Sequence, residues 1–184
     1  MSTFTLRAAS PADAPSIADL ANHYTYQRLS SEERQGGFLT GSFAVPAVRA
    51  MLALVPGQVA YQQGELAGFV LNSWLAPTQY PPLVQVICAL LPSLTYRQRT
   101  LADYRCFFYG PVLVHRAYRG QGLLAQLFEA NRTELRGRFD LGIAFIAEEN
   151  TTSLHVHTQK LGLEVVGSLN FQGATYSIVV FLVN

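Results

Sequence analysis

The sequence predicts a mixed α/β fold of the α+β kind. Three observations carry this. Two pairs of short apolar runs flank Gln63-Gly64-Glu65 and Gln172-Gly173, the pattern of β-hairpins. A strand-like run, Cys106 to Val114, leads into a glycine-bearing loop and then an amphipathic stretch. Only one further strand–helix unit follows before the terminal hairpin, so the repeated βαβ pattern of a doubly wound sheet is missing.

The elements follow in order. Thr3 to Arg7 alternates like a strand. Ser10-Pro11-Ala12-Asp13 reads as a helix start, with a Ser cap, Pro at the first helical position and an acid three residues after the cap. Ile17, Leu20, Ala21 and Tyr24 then recur at helical spacing. Ser30 to Gly41 is polar and reads as loop; Val45 to Leu54 reads as a helix closed by Pro56-Gly57. Gln58 to Gln62 and Leu66 to Ser73 form the first hairpin. Trp74 to Tyr104 is a long proline-studded insertion with a short helix at Leu83 to Leu91. Loops of this length are often functional.

Cys106 to Val114 is the most strand-like run. Its interior Gly110-Pro111 predicts a bulge or an edge, because proline has no N–H for a ladder. A polar loop, His115 to Gln121, precedes a helix over Leu123 to Arg138. Gly142 to Ala147 reads as a buried strand. Asn150 to Lys160 reads as helical with Leu161-Gly162 as its stop, and Leu163 to Phe171 with Ala174 to Val183 makes the final hairpin. These elements predict one domain over 1–184, with the insertion at about 74–104.

Hydrophobic residues make up 49% of the chain and charged residues 14%, ample for a core and for some covered subunit interface, so a homodimer is expected. The net charge of +1 gives no electrostatic argument for nucleic acid or an anionic membrane. The longest apolar stretch, Pro82 to Leu91, is too short to span a bilayer, and the first residues lack the pattern of a signal peptide. Cys88 and Cys106 show no metal-ligand spacing. They read as reduced core thiols of a cytoplasmic protein, and no metal is expected.

The chemistry concentrates between Val112 and Leu163. A strand ending at Val114 is followed by Arg119-Gly120-Gln121-Gly122 and a helix start. Glycines let backbone approach a ligand, and a helix start presents free N–H groups at the positive end of its dipole. Together they suit a pyrophosphate, with Arg119 as a nearby fixed charge. A plain strand–loop–helix turn explains the same residues. A P-loop would need Gly-Lys followed by Ser or Thr, and Leu123 follows Gly122. Gly120-x-Gly122-x-x-Ala125 matches the dinucleotide fingerprint formally, but five residues separate it from its strand.

Here the chain resembles the GNAT acyltransferases. That family binds the coenzyme A pyrophosphate with Q/R-x-x-G-x-G/A after its fourth strand. Arg119-Gly120-Gln121-Gly122-Leu123-Leu124 matches the first and fourth positions and departs at the last. The family then has a strand and a helix opening with Asn, often Ser three on, an aromatic or His, and a Leu-Gly-Phe-like stop. Asn150, Ser153, His157 and Leu161-Gly162-Leu163 follow that order, with one residue more than usual between Asn150 and Gly162. The resemblance implies a mostly antiparallel central sheet flanked by helices, with a central strand split at a bulge. It implies an N-acetyltransferase using acetyl-CoA as cosubstrate. The cofactor would be held by Val112, Leu113, Val114, Arg119, Gly120, Gln121, Gly122, Leu123, Leu124, Asn150, Ser153 and His157.

In this family an acceptor amine attacks the thioester directly. Backbone of Val112 to Val114 could pair with the pantetheine amides as an added strand would. Asn150, Ser153 and His157 are spaced to share a helix face, which can look into the same groove. Many members donate a proton to the thiolate from a Tyr near the position of His157. An imidazole suits that exchange, and a hydrogen-bonded helix residue lining the site is the plainer alternative. Glu148 or Glu149 is the candidate base, or a solvated pair before a cap. Phe108 or Tyr109 could wall the acceptor pocket or simply pack the core. The insertion, with Trp74, Tyr80, Tyr96, Arg97, Arg99 and Tyr104, is the candidate acceptor-binding segment. The acceptor is expected to be a small-molecule amine or a peptide N-terminus. A non-catalytic acyl-CoA-binding module and an NAD(P)-binding oxidoreductase are the competing readings.

Overall fold

A computed structural model describes residues 4–184; Thr3, the expected start of the first strand, lies outside the described residues. In chain order the elements are β1 (Thr5–Ala8), α1 (Ala14–His23), α2 (Ser31–Arg34), α3 (Val45–Leu54), β2 (Gln58–Gln62), β3 (Glu65–Ser73), α4 (Pro82–Leu90), β4 (Thr95–Tyr96), β5 (Arg99–Thr100), β6 (Cys106–Val114), α5 (Leu123–Leu135), β7 (Leu141–Ala147), α6 (Thr151–His155), β8 (Glu164–Phe171) and β9 (Ala174–Leu182). Seven strands form one sheet in the order β1-β2-β3-β6-β7-β9-β8. The pair β6–β7 is parallel, while β1–β2, β2–β3, β7–β9 and β8–β9 are antiparallel. This is the mixed, mostly antiparallel sheet flanked by helices that the sequence predicts.

The described residues divide into two compact units. One holds the chain up to Ser73 together with Tyr109–Leu135; the other holds Trp74–Phe108 and Arg136–Asn184. In the first, Ile17, Ala18 and Ala21 of α1 and Val48 and Leu52 of α3 bury against Val59, Phe69, Leu71 and Leu113. Their i, i+3/i+4 spacing on the helices and alternate spacing on the strands are what bring these apolar faces together. Asp13 ties the start of this unit. Its carboxylate accepts two bonds from Arg7 at 2.6 and 2.8 Å, one from the Ser10 amide at 2.7 Å and one from the Tyr61 hydroxyl at 2.9 Å. The predicted capping acid therefore also links β1 to β2. Helix α5 is fixed to β3 by a fully buried amide pair, in which Asn72 donates to Asn131 at 2.7 Å and Asn131 donates back at 3.2 Å.

In the second unit β7 pairs with β9 along its whole length, from Leu141↔Leu182 to Ala147↔Tyr176. Its register with β6 covers only Cys106, Phe107 and Phe108. The ladder thus ends just before Gly110-Pro111, the break that the sequence predicts in the central strand. Cys106 is buried, donates its thiol to the Leu101 carbonyl at 3.1 Å, and is pushed up to about 12 by burial. Both cysteines are free thiols, with Cys88 half-buried.

Three expectations are corrected. Ser30 to Gly41 is not all loop: α2 forms there, started by Ser30, whose side chain accepts from the Glu33 amide at 3.2 Å. Helix α5 stops at Leu135 rather than Arg138, because Gly137 takes a φ of 80° that helix cannot accommodate. The insertion is largely ordered, with α4, a two-residue-per-strand hairpin β4–β5 and single-turn helices at Pro77–Gln79 and Leu101–Asp103.

Candidate functional site

The glycine loop belongs to the first unit. After Val114 the chain makes one tight turn, Arg116–Tyr118, and then Gly120 and Gly122 adopt φ of 74° and 75°. Left-handed backbone of this kind excludes most side chains. A Cβ built on either glycine would meet nothing within 4 Å, so the space over the loop is open. The first intrahelical bond of α5 runs from the Gln126 amide to the Gly122 carbonyl at 3.2 Å. Among the described residues, the amides of Gly120, Gly122, Leu123 and Leu124 donate to no protein acceptor. Donor groups of this kind at the head of a 13-residue helix, at the positive end of its dipole, are of the type that suits an anion.

Arg119 also braces the loop. Its Nε donates to the Val114 carbonyl at 3.0 Å and its Nη1 to the Gly36 carbonyl at 2.6 Å, and the guanidinium lies 5.3 Å from the Tyr24 ring centre. It pins the loop to the end of β6 and to the segment after α2. Leu113 is buried in the core, whereas Val112 and Val114 are half-buried and Gln121 is exposed. Leu123 is buried and Leu124 half-buried, so the departure from the family pattern at Leu124 adds a side chain beside the loop. A separate open cavity of about 810 Å³ is lined by Tyr24, Arg28, Glu33, His115, Arg116 and Tyr118, with none of the loop amides in its wall.

The second unit carries Glu148, Asn150, Ser153 and His157. Asn150 caps α6, its side-chain oxygen accepting from the Ser153 amide at 3.4 Å. His157 Nδ1 lies 2.8 Å from the Ser153 carbonyl and 3.3 Å from the Ser153 hydroxyl. The three predicted residues are thus brought into one hydrogen-bonded file. A bond to a carbonyl requires the proton on Nδ1, which leaves Nε2 as the accepting nitrogen. Burial holds the ring's pKa below its usual value, so it is neutral near pH 7. In this state the ring accepts a proton at Nε2; donating one there needs a second proton, which burial opposes.

Helix α6 runs on into a π-turn, Val156–Lys160, where the Leu161 amide donates to the Val156 carbonyl five residues back, at 3.1 Å. A π-turn houses one extra residue in a helix. His157 sits inside it.

Strand alternation separates the two acids after β7. Glu148 follows the face of Ser177, whose hydroxyl donates to its carboxylate at 3.3 Å. Glu149 follows the face of Tyr176; burial first, and the nearby Glu149 charge second, raise that phenol's pKa. Phe108 and Tyr109 also point to opposite faces. Phe108 packs with Tyr80 at 5.3 Å, Phe145 at 6.4 Å and Trp74 at 6.5 Å between ring centres. Tyr109, in the first unit, meets Phe128 of α5 edge-on at 5.7 Å, and full burial raises its pKa strongly. The rings of Phe145 and Tyr176 escaped the sequence reading. Only the parity of β7 and β9, which needs the register, places them on the Phe108 face.

No protein-family model matches the chain, and a search of curated proteins finds no significant relative. Solved structures do match. The Salmonella typhimurium protein yncA, solved with its cofactor acetyl-CoA, aligns with a TM-score of 0.63 and 17% identity over 100% of this chain and 95% of that one. The chain has the GNAT fold. An N-acetyltransferase from Staphylococcus aureus Mu50 aligns at TM-score 0.64 and 16% identity over all of both chains. The Escherichia coli GNAT family N-acetyltransferase YhbS, in complex with CoA, aligns at 0.61 and 18% identity, covering 100% of this chain and 83% of that one. GNAT folds are therefore matched along the full described length, at identities that speak for architecture alone. Among the described residues no helix is long and apolar enough to cross a membrane, and no group of three or more His, Cys, Asp or Glu is placed to hold a metal.

Proposed function

We propose that this protein is an acetyl-CoA-dependent N-acetyltransferase acting on a primary amine. The observation that carries the reading is the head of α5: two left-handed glycines, open space above them, and helix-start amides with no protein acceptor. A diphosphate would satisfy those amides and the helix dipole together. On this reading Gly120, Gln121, Gly122, Leu123 and Leu124 cradle the pyrophosphate, Arg119 holds the loop in shape, and backbone of Val112, Leu113 and Val114 pairs with the pantetheine amides. Solved GNAT folds with acetyl-CoA or CoA support the same ligand class.

The chemistry follows from the ligand. A neutral amine nitrogen attacks the thioester carbonyl, the N–C bond forms, and the C–S bond breaks. The nitrogen loses one proton and the departing sulfur gains one. Asn150, Ser153 and His157 complete the cofactor-binding set on this reading. His157 is the residue assigned to the sulfur-side proton, passed on through Nε2 after that nitrogen is protonated. Glu148, or Glu149 beside it, is assigned to the amine-side proton. The protein is assigned to the cytoplasm, with self-association into a dimer as the expected assembly.

The test is a calorimetric titration with acetyl-CoA, with NAD as the parallel control, on wild type and Gly122→Val. Expected are micromolar or tighter binding of acetyl-CoA, no binding of NAD, and loss of acetyl-CoA binding in the variant, whose side chain opposes the positive φ. Absence of acetyl-CoA binding to the wild type sinks the proposal. Binding without thiol release against a broad amine panel selects the non-catalytic module instead.

A further inference from the structure

Helix α5 lies on β3, and one residue of the face that packs there is out of character. Leu123, Leu127, Asn131 and Leu135 recur every fourth residue, and all are buried. Three are leucines; the fourth is an amide. Asn72, at the end of β3, is fully buried as well. The two side chains bond both ways, at 2.7 Å from Asn72 to Asn131 and at 3.2 Å in return. The Asn72 amide also donates to the Pro56 carbonyl, just ahead of β2. The strand-side partner is therefore held from two directions, and the helix-side partner has one place in which to meet it.

Such a pair adds little stability beyond what two apolar residues of the same size would give. What it adds is position. Leucines packed on a sheet hold almost as well after a small slide, because apolar attraction is non-directional. A reciprocal amide pair does not. A slip of one residue moves a helix about 1.5 Å along its axis, whereas N–H···O bonds tolerate a spread of about 0.5 Å. The slip would leave two buried amides unpaired. A single buried Asn fixes the register of helices in coiled coils by the same logic. The height of α5 is set separately. A Cβ on Gly68 of β3 would come 3.1 Å from Cδ1 of Leu127 and 2.9 Å from the Leu113 carbonyl. Bare backbone at Gly68 thus lets the helix settle on the strand beside the end of β6.

We infer that Asn72 and Asn131 are positioning residues for the cofactor. Their pairing sets the register of α5 on β3, and so fixes where the amides of Gly122, Leu123 and Leu124 stand relative to the end of β6. The pair, the glycine loop and Val112 to Val114 all belong to one compact unit. The inference rests on the acetyltransferase reading for the identity of the ligand. On that reading the head of α5 takes the pyrophosphate and Val112 to Val114 take the pantetheine. These are two parts of one molecule, so the two sites must be spaced to its length. Packing of leucines alone leaves that spacing loose; the amide pair closes it.

The experiment uses Asn131→Leu alone and Asn131→Leu combined with Asn72→Ala, which keeps the summed volume roughly constant and leaves neither amide in the core. Each is read for its urea midpoint, its affinity for acetyl-CoA by calorimetry, and the NMR signals of the Gly120 and Gly122 amides without ligand. The single variant leaves Asn72 without its helix partner and should unfold at lower urea. The double variant should regain most of that midpoint, yet bind acetyl-CoA roughly tenfold more weakly, with both glycine signals shifted or doubled. A purely structural pair would move affinity and midpoint together. Wild-type affinity in the double variant, or weaker affinity with unchanged glycine signals, therefore overturns the inference while the enzyme reading stands. Failure of the wild type to bind acetyl-CoA overturns the enzyme reading instead. The glycine signals then decide the register by themselves, unchanged signals in the double variant removing the inference. If the double variant does not fold, Asn131→Ser, whose hydroxyl is too short to reach Asn72 as the amide does, is read in the same way.

Discussion

At the scale of single residues, His157 shows how a position becomes chemistry through its surroundings. Its Nδ1 is committed to the Ser153 carbonyl and its ring is buried, so the folded state disfavours the imidazolium. The unfolded chain therefore binds more protons near and below the ordinary histidine pKa of about 6.5. The stability that this site contributes is present above that pH and is lost as pH falls through the lowered folded value. The pKa of His115 is lowered as well, mainly by partial burial and further by Arg116 and Arg119. The difference between wild type and His157→Gln isolates the one ring. The urea midpoint of the wild type should drop between pH 7 and pH 5 more than that of His157→Gln, and equal slopes would show that His157 is not buried neutral. Arg119 teaches the converse. Its charge and place mark it as a residue beside the pyrophosphate, and the fold adds that two of its donors hold Val114 and Gly36. Sequence shows that a charge is near; only the fold shows what it is spent on.

At the scale of elements, Asp13 makes the clearest prediction. Hydrogen bonds from Arg7, with those from Ser10 and Tyr61, hold its carboxyl well below the usual carboxylate range. Its contribution to stability is complete above the ordinary carboxyl value of about 4 and is lost as pH falls further. Asp13→Asn should cost about 2 kcal/mol at pH 7, less than for a fully buried pair because Arg7 is half exposed. Denaturant unfolding at pH 7 and pH 3 checks it: the gap between wild type and variant narrows at pH 3, and an unchanged gap refutes the assignment. The same Ser10–Asp13 signal was legible in the sequence, as were α3, β2 and β6 to the residue. Those segments have long periodic runs or sharp Pro and Gly stops. What escaped was short. Helix α2 has four residues and no apolar period, although Ser30 and Glu33 spell its capping box. The hairpin β4–β5 turns on Arg97 and Gln98 at φ of 46° and 65°, where a turn would ordinarily announce itself with glycine. The end of α5 at Leu135, with Gly137 two residues on, was hidden by a run of good helix formers in Glu134-Leu135-Arg136.

At the scale of the molecule, the fold was legible because several degenerate signals occur in one order along the whole chain, and the fold they predict is the one the matched GNAT structures have. The candidate site was legible in its loop and in the Asn150–Ser153–His157 file, both set by local spacing. It was not legible in the aromatic face, which exists only after strands far apart in sequence fall into register. Neither compact unit is a continuous piece of chain, since the path leaves the first unit after Ser73, returns at Tyr109 and leaves again after Leu135. A fragment ending at Ser73 lacks all of β6 and α5, and with them the Tyr109–Leu135 part of the first unit. It should show no cooperative unfolding transition, and a sharp thermal transition in that fragment would contradict the division.

The interleaved path sets a timetable for synthesis. On a ribosome the first unit has all its residues only once Leu135 has emerged, long after α1 and α3 have left the tunnel. The second unit must wait for β9, which pairs along the whole of β7 and carries the last strand residues of the chain. At elongation rates of about 10 residues per second, β7 therefore spends several seconds outside the tunnel without the partner that covers its edge. Its sequence, Leu141-Gly142-Ile143-Ala144-Phe145-Ile146-Ala147, has no charge to discourage a wrong neighbour in that interval. Slower translation of the final hairpin should cost soluble yield before it costs anything in the finished protein.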